Sequence, residues 1–208
     1  MNKNIILIGL LIIICCIFNY KKTTNKKFKI TLLKDFVNDD EINHLIKIGT
    51  DLFKKSTVIG KNEKSIIDLN IRTSETAFLP TNDLIVSNIM DRVCNICNIK
   101  KHQIEPLQLL KYKQGQKYNH HYDAFKKFNK EQGQRTETLF VYLNDNFEGG
   151  ETDFPIIKKK IKPKKGYAIR WKNIDENNNI IKESFHAGLP VISGIKYGLN
   201  IWIREHKW

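Results

Sequence analysis

Hydrophobic residues fall into three regimes along this chain. The first is an unbroken non-polar run over residues 5–18. The second has helical spacing. Asn38 followed by Glu41 places an acid three positions after a capping residue, the signature of a helix start. Ile42, Leu45, Ile46 and Phe53 then supply an apolar face for a helix running to about Lys54. Ile85, Ile89, Val93 and Ile96 repeat that spacing in a second predicted helix over roughly 82–98. The third regime begins at Leu107, where short β-rich runs are divided by turn signals. Strands are predicted over 107–112, 118–123, 138–143, 165–172, 184–186 and 196–204. Asn144-Asp145, Gly149-Gly150 and Ser193-Gly194 mark turns, and residues 126–137 read as a flexible surface loop able to cover a site. Many short strands in one domain imply a sandwich or barrel. The predicted class is mainly β with flanking helices (α+β).

Composition narrows this picture. At 208 residues the chain fits one domain large enough for a core, and 41% hydrophobic with 27% charged residues excludes a disordered polypeptide. The formal net charge of +13 is carried almost wholly by lysine. Its densest run, KKKIKPKK at 158–165, falls between two predicted strands and is expected to be a solvated basic edge, with no nucleic-acid partner. The apolar run at 5–18 is shorter than the ~20 residues that span a bilayer comfortably. It matches a signal-peptide core, yet Asn19, Tyr20, Lys21 and Lys22 follow it in place of a cleavage site. Residues 1–20 are therefore expected to form a hydrophobic signal anchor and 21–30 a basic linker, leaving 31–208 as the globular domain. Lys21, Lys22, Lys26, Lys27 and Lys29 outnumber Lys3, which by the positive-inside rule would keep that domain cytoplasmic. Cys94 and Cys97 form a C-x-x-C with no second pair to complete a zinc site, so two buried or half-buried thiols are expected.

One spacing carries chemistry. His121-Tyr122-Asp123, followed far downstream by His186, offers two imidazoles and a carboxylate. Two such nitrogens and one carboxylate on one face of an octahedral metal leave the other face open to substrate and oxygen, the arrangement of Fe(II) oxygenases. The iron-binding member of the sandwich and barrel class is the jelly roll. In an extended segment alternate side chains share a face, so His121 and Asp123 point together while His120 and Tyr122 point away. The same period places Lys196, Gly198, Asn200, Trp202 and Arg204 on one face of the last predicted strand. The turn at 192–194 is expected to fold this strand back antiparallel to the one that carries His186.

Three blocks surround these residues: LQLLKYKQGQKYNHHYD at 107–123, RTETLFVYLNDNFEGGETDFP at 135–155 and FHAGLPVISGIKYGLNIWIRE at 185–205. With DFVNDDEINHLI, RTSETAFLP and IKPKKGYAIRW, they resemble in order the catalytic domain of the 2-oxoglutarate- and Fe(II)-dependent prolyl 4-hydroxylases. The resemblance covers nearly everything after the apolar run. It implies a double-stranded β-helix (jelly-roll) core with the N-terminal helices packed on it. It also implies Fe(II) held by His121, Asp123 and His186, with 2-oxoglutarate and O2 as cosubstrates and ascorbate as reductant. Lys196 is then the cation for the distal carboxylate and part of the catalytic set. Tyr112 and Thr152 become hydroxyl donors to the same ligand, Trp202 a wall of its pocket, and Arg135 and Tyr118 neighbours of the peptide. The reaction implied is 4-hydroxylation of peptidyl proline in proline-rich or collagen-like chains, releasing succinate and CO2. Relatives of this kind usually face the secretory lumen, so the resemblance points to a membrane-anchored enzyme of the endoplasmic reticulum or secretory pathway. Other readings are action on another side chain or on nucleic acid, and a non-catalytic, membrane-anchored basic module. The chain departs from the pattern after Asp123, where Ala124-Phe125-Lys126-Lys127 replaces frequent acids, and at Leu189, where many relatives have cysteine.

Overall fold

The computed structural model of the protein describes residues 28–60, 64–128 and 130–208. The expected anchor at 1–20 and residues 21–27 of the linker lie outside the described residues, among which no helix is long and apolar enough to cross a membrane. Two helices, α1 (Asp39–Gly49) and α2 (Leu84–Cys97), precede most of the sheet. The strands in chain order are β1 (Thr31–Leu33), β2 (Lys54–Lys55), β3 (Val58–Ile59), β4 (Ser65–Ile66), β5 (Glu75–Phe78), β6 (Gln108–Tyr112) and β7 (Tyr118–His121). There follow β8 (Arg135–Tyr142), β9 (Glu148–Gly149), β10 (Thr152–Phe154), β11 (Lys159–Ile161), β12 (Ala168–Lys172), β13 (His186–Gly188), β14 (Val191–Ser193) and β15 (Lys196–Arg204).

Antiparallel pairing builds a seven-stranded sheet in the order β1-β12-β8-β15-β6-β5-β2 and a four-stranded sheet in the order β11-β10-β13-β7. From β6 onward the chain passes repeatedly between the two: β6 lies in the large sheet, β7 in the small, β8 in the large, β10 in the small, β12 in the large, β13 in the small and β15 in the large. That alternation is the jelly roll. The large sheet is buried on both faces. Leu109, Leu139, Val141, Leu199, Ile201 and Ile203 meet Ile42, Leu45, Val86, Ile89 and Val93 of the helices, whereas Leu110, Tyr112, Phe140, Tyr142, Ile169 and Trp171 face inward with Phe154 of the small sheet. Burying each large apolar side chain contributes about 1.5–3 kcal/mol. The two-layer burial therefore fixes which face of β6, β8 and β15 looks into the barrel.

Local signals explain the helix ends. The Asn38 side chain accepts from the Glu41 N–H while Glu41 accepts from the Asn38 N–H, a complete capping box. α1 stops at Gly49 rather than near Lys54, and a 3-10 turn at Thr50–Leu52 follows. Gly49 packs on the sheet so closely that an added Cβ would collide with the Leu109 side chain. Lys54 is already in β2. α2 is capped by Asp83 and closed by left-handed Asn98. Its buried stripe is Val86, Ile89, Met90 and Val93, whereas Ile96, expected on the apolar face, is 37% exposed. Cys94 and Cys97 are free, half-buried thiols, as expected.

The strands around His186 and Lys196 differ from the expectation. The segment that carries His186 begins there instead of ending there, because Lys182–Ser184 turns as a 3-10 helix. β13 pairs with β7 and β10, β14 with β9, and β15 with β6 and β8. His186 and Lys196 thus come from opposite sheets, not from neighbouring strands. The basic run, expected as a solvated edge between two strands, is exposed at Lys158, Lys159, Lys160 and Lys162 and itself contributes β11 at the rim of the small sheet.

Candidate active site

His121, Asp123 and His186 converge, their ligand atoms all within 4.8 Å of one another. His121 lies opposite His186 in the β7–β13 register, and Asp123 follows two residues beyond His121. His121 Nε2 is 3.6 Å from Asp123 Oδ1, and His186 Nε2 is 3.7 Å from Oδ2. Both imidazoles are oriented in the same way. His121 Nδ1 is 2.8 Å from the Asn119 carbonyl and His186 Nδ1 is 2.8 Å from the Ser184 carbonyl. A carbonyl only accepts, so each Nδ1 carries a proton and Nε2 is the ring nitrogen left to bind a metal. His120 points away and bonds Asp153 at 2.8 Å.

Electrostatics matches this donor set. Burial and the neighbouring His121 push the pKa of His186 down to about 4, against the pull of Asp123. It is therefore neutral near pH 7. Burial alone would raise Asp123, but the imidazoles of His186 and His121 and the charge of Arg135 outweigh it and hold the carboxyl well below the usual range. Two convergent imidazole nitrogens and a carboxylate, with His186 and Asp123 buried and His121 half-buried, suit a divalent ion of the Fe(II) kind.

Ring packing holds the imidazoles. Tyr118 stacks on His121 at 3.6 Å between centroids, and the Arg72 guanidinium lies 4.5 Å over the other side of the phenol. Trp171 meets His186 edge-on at 4.9 Å and Phe154 stacks on it at 5.5 Å. Burial raises the Tyr118 hydroxyl to about 12, so it stays protonated.

Lys196 lines the same cavity as the triad, together with Tyr112, Tyr118, Thr152 and Asn200. It is 2% exposed, and its ammonium donates to the Gly150 carbonyl at 2.7 Å. The rings of Tyr112, Phe140 and Tyr142 surround it at 5.1, 5.1 and 5.9 Å. Burial lowers its pKa to about 7, with the charge of Glu151 pulling the other way. A buried ammonium held by one carbonyl and three rings is a cation short of an anion. Tyr112 is its cross-strand partner in the β6–β15 register, and Thr152 Oγ1 shares a 2.7 Å hydrogen bond with the Tyr142 hydroxyl. Trp171 also lines the cavity, and its indole N–H, itself shut off from solvent, has no acceptor among the described residues. These donors fit an acidic ligand.

Other expected site residues lie elsewhere. Trp202 shares the Lys196 face of β15 but does not line the cavity; it packs under the Arg135 guanidinium at 3.6 Å. Arg135 is bound through two nitrogens to Glu105, 2.7 Å each, and Arg204 joins the same carboxylate at 2.8 Å. The loop expected over 126–137 ends earlier, since β8 starts at Arg135. Gln134 ties its base by bonding both the N–H and the carbonyl of Phe125. Sequence reasoning did not single out Arg72, Thr138, Asn173 or Trp171. Each acts through a partner from a distant segment, and no local pattern signals that.

Fold and site together define a non-haem Fe(II), 2-oxoglutarate-using oxidoreductase. Residues 107–204 match the 2OG-Fe(II) oxygenase superfamily. An Acanthamoeba polyphaga mimivirus protein provisionally named a prolyl 4-hydroxylase is 31% identical over 199 residues, covering 92% of this chain and 80% of that protein. Prolyl 4-hydroxylase 5 of Arabidopsis thaliana is 33% identical over 196 residues, covering 84% and 67%. The solved 2-oxoglutarate complex of a viral collagen prolyl hydroxylase from Paramecium Bursaria Chlorella virus-1 is 35% identical with a TM-score of 0.69, covering 88% of this chain and 98% of that one. The chain belongs to the prolyl 4-hydroxylase family of 2OG-Fe(II) oxygenases.

Proposed function

We propose that the protein hydroxylates C4 of peptidyl proline in proline-rich or collagen-like chains, converting 2-oxoglutarate and O2 to succinate and CO2. The observation that carries this reading is one cavity holding both a two-histidine, one-carboxylate set and an ammonium without an acidic partner in contact. His121, Asp123 and His186 would hold the metal, and Lys196, Tyr112 and Thr152 would receive the distal carboxylate of 2-oxoglutarate. When bound, ferrous iron supplies the redox centre at which cosubstrate and oxygen react. The chain's own contribution is positional. The Nδ1–H bonds orient the imidazoles, the stacked Tyr118 and the edge-on Trp171 restrict ring rotation, and the apolar walls Leu110, Phe140 and Trp171 exclude water. The test is anaerobic titration with Fe(II) and 2-oxoglutarate, then turnover on proline-rich peptides with mass spectrometry locating the added oxygen. Oxygen on a residue other than proline would redirect the assignment of substrate.

The apolar run at 5–18, followed by Asn19 and Tyr20 in place of a cleavage site, supports a membrane-anchored form of this enzyme; the resemblance favours the secretory lumen for its domain, whereas the lysines that follow the run favour the cytoplasmic side. Fractionation of the full-length chain, with protease protection of the catalytic domain, tests both the anchoring and the side.

A further inference from the structure

The ligand Asp123 is held from behind by two side chains that the cavity does not expose. Thr138 sits in β8 opposite Trp171 of β12 and Trp202 of β15, and Asn173 lies just past the end of β12; both are 0% exposed. Thr138 Oγ1 lies 2.7 Å from Asp123 Oδ2, and Asn173 Nδ2 lies 2.9 Å from Thr138 Oγ1. The proton positions follow from chemistry. An ionised carboxylate cannot donate, so the threonine O–H is spent on Oδ2 and its oxygen must accept from the Asn173 amide. The opposite amide orientation would set two acceptors face to face. Asn173 is itself fixed at both backbone groups, its N–H to the Thr136 carbonyl at 2.8 Å and its carbonyl to the Ile181 N–H at 2.9 Å. Its Oδ1 is buried with no partner among the described residues, so the side chain is engaged through Nδ2 alone.

We propose that Asn173 and Thr138 form a one-directional relay that occupies Asp123 Oδ2 and leaves Oδ1 as the single metal-binding oxygen. The two carboxylate oxygens are otherwise nearly equivalent, each about the same distance from one imidazole: 3.6 Å for Oδ1 to His121 and 3.7 Å for Oδ2 to His186. Without the threonine hydroxyl the carboxylate can turn and present both oxygens. A carboxylate bound through both oxygens would fill a coordination position that the open face of a facial triad must keep for cosubstrate and oxygen. Thr138 and Asn173 are thus positioning residues that preserve the open face. This inference rests on the metal-centre reading of His121, Asp123 and His186.

The test uses Co(II) as an optical probe in the full-length protein under anaerobic conditions, with 2-oxoglutarate added afterwards. Thr138→Val keeps the shape and removes the donor. It is expected to weaken Co(II) binding by ~10–100-fold, the usual effect of losing a partner that orients a ligand. Its visible spectrum is expected to differ from wild type, with a reduced response to 2-oxoglutarate. Thr138→Ser restores the hydroxyl and is expected to return both the affinity and the spectrum. Wild-type affinity and spectrum in Thr138→Val overturn the relay. Should that variant not fold, Asn173→Ala carries the test: a few-fold loss of affinity supports the relay and unchanged binding overturns it. Co(II) binding that is as tight in His121→Ala as in the wild type instead overturns the metal-centre reading beneath it.

Discussion

Lys196 carries the most demanding prediction, because the structure says what it costs the empty enzyme. Its ammonium is fully buried, and burial lowers its pKa from 10.5 to about 7. The folded state therefore disfavours the charged form that the unfolded chain holds below pH 10.5. A folded pKa below the unfolded one means stability is intact above the unfolded value, falls as pH drops toward the folded value, and is level below it. The span corresponds to about 5 kcal/mol near pH 7. Lys196→Met removes this penalty and keeps the apolar stem. It leaves the Gly150 carbonyl without its donor, which takes back about 1–3 kcal/mol. The empty variant is then expected to be more stable by roughly 2–4 kcal/mol at pH 7, or several degrees in Tm, with the gain shrinking as pH rises and turning into a loss of about 1–3 kcal/mol near pH 10.5, where only the lost hydrogen bond remains. Cosubstrate binding moves the opposite way. A buried carboxylate that loses its partner costs about 3–5 kcal/mol, so KM for 2-oxoglutarate should rise by about two to three and a half orders of magnitude while metal affinity holds. Lys196→Arg should recover part of the loss, limited by the fixed fork of the guanidinium. In the wild type, 2-oxoglutarate binding should take up a proton above pH 7 and weaken as pH rises, since the ammonium must be charged to pair. Calorimetry in buffers of different ionisation enthalpy reads that proton. An unchanged Tm together with an unchanged KM in Lys196→Met would refute the reasoning and move the cosubstrate pocket elsewhere.

Three further outcomes are expected. Alanine at His121, Asp123 or His186 should abolish succinate formation, whereas His120→Ala should keep most of it, since His120 bonds Asp153 on the far face of β7; equal damage at His120 and His121 would sink the facing argument. Gly150→Ala should lower both stability and 2-oxoglutarate affinity. Gly150 sits at φ +65°, and a Cβ would stand 2.9 Å from the Phe147 ring and 3.1 Å from Lys196 Cδ, so strain of about 1–3 kcal/mol is expected in a urea titration. Nucleic acid should bind the exposed lysines at 158–165 weakly, with steep salt dependence and no effect on 2-oxoglutarate decarboxylation; stimulation by nucleic acid but not by proline peptides would overturn the substrate assignment.

The parts of this fold that could be read from sequence are those with a local cause. The Asn38–Glu41 capping box needs only residues three apart, and α1 begins where it predicts. The strand period separates His121 from His120, and in the structure the first faces Asp123 and the second Asp153. The same period sorts β15: Leu199, Ile201 and Ile203 enter the helix-side core, while Lys196 and Asn200 line the cavity. Where the outcome is set across the barrel the sequence is silent. β1, β5 and β10 are only three or four residues long and owe their extended form to partners distant in sequence, Thr31 to Arg170, Thr76 to Leu110 and Thr152 to Gly188. α2 rotates its stripe from Ile96 toward Met90 because the sheet beneath it decides which side is covered.

The same distinction divides the site. A metal ligand announces itself by residue type inside the blocks that carry the family resemblance, because imidazole and carboxylate are the side chains that such a metal takes. The groups that hold it do not. Arg72 reaches His121 only through Tyr118, and Asn173 reaches Asp123 only through Thr138, over separations of 46 and 35 residues for the first step of each chain. Threonine and asparagine in a strand and at its end are ordinary residues, so neither type nor spacing marks them. Only the convergence of β8, the end of β12 and the segment after β7 puts their hydroxyl and amide behind the carboxylate. Sequence can thus name the donor atoms of a centre like this one, while the orientation of each donor is a property of the closed barrel. The variants that separate the two are those that keep the ligand and alter what stands behind it.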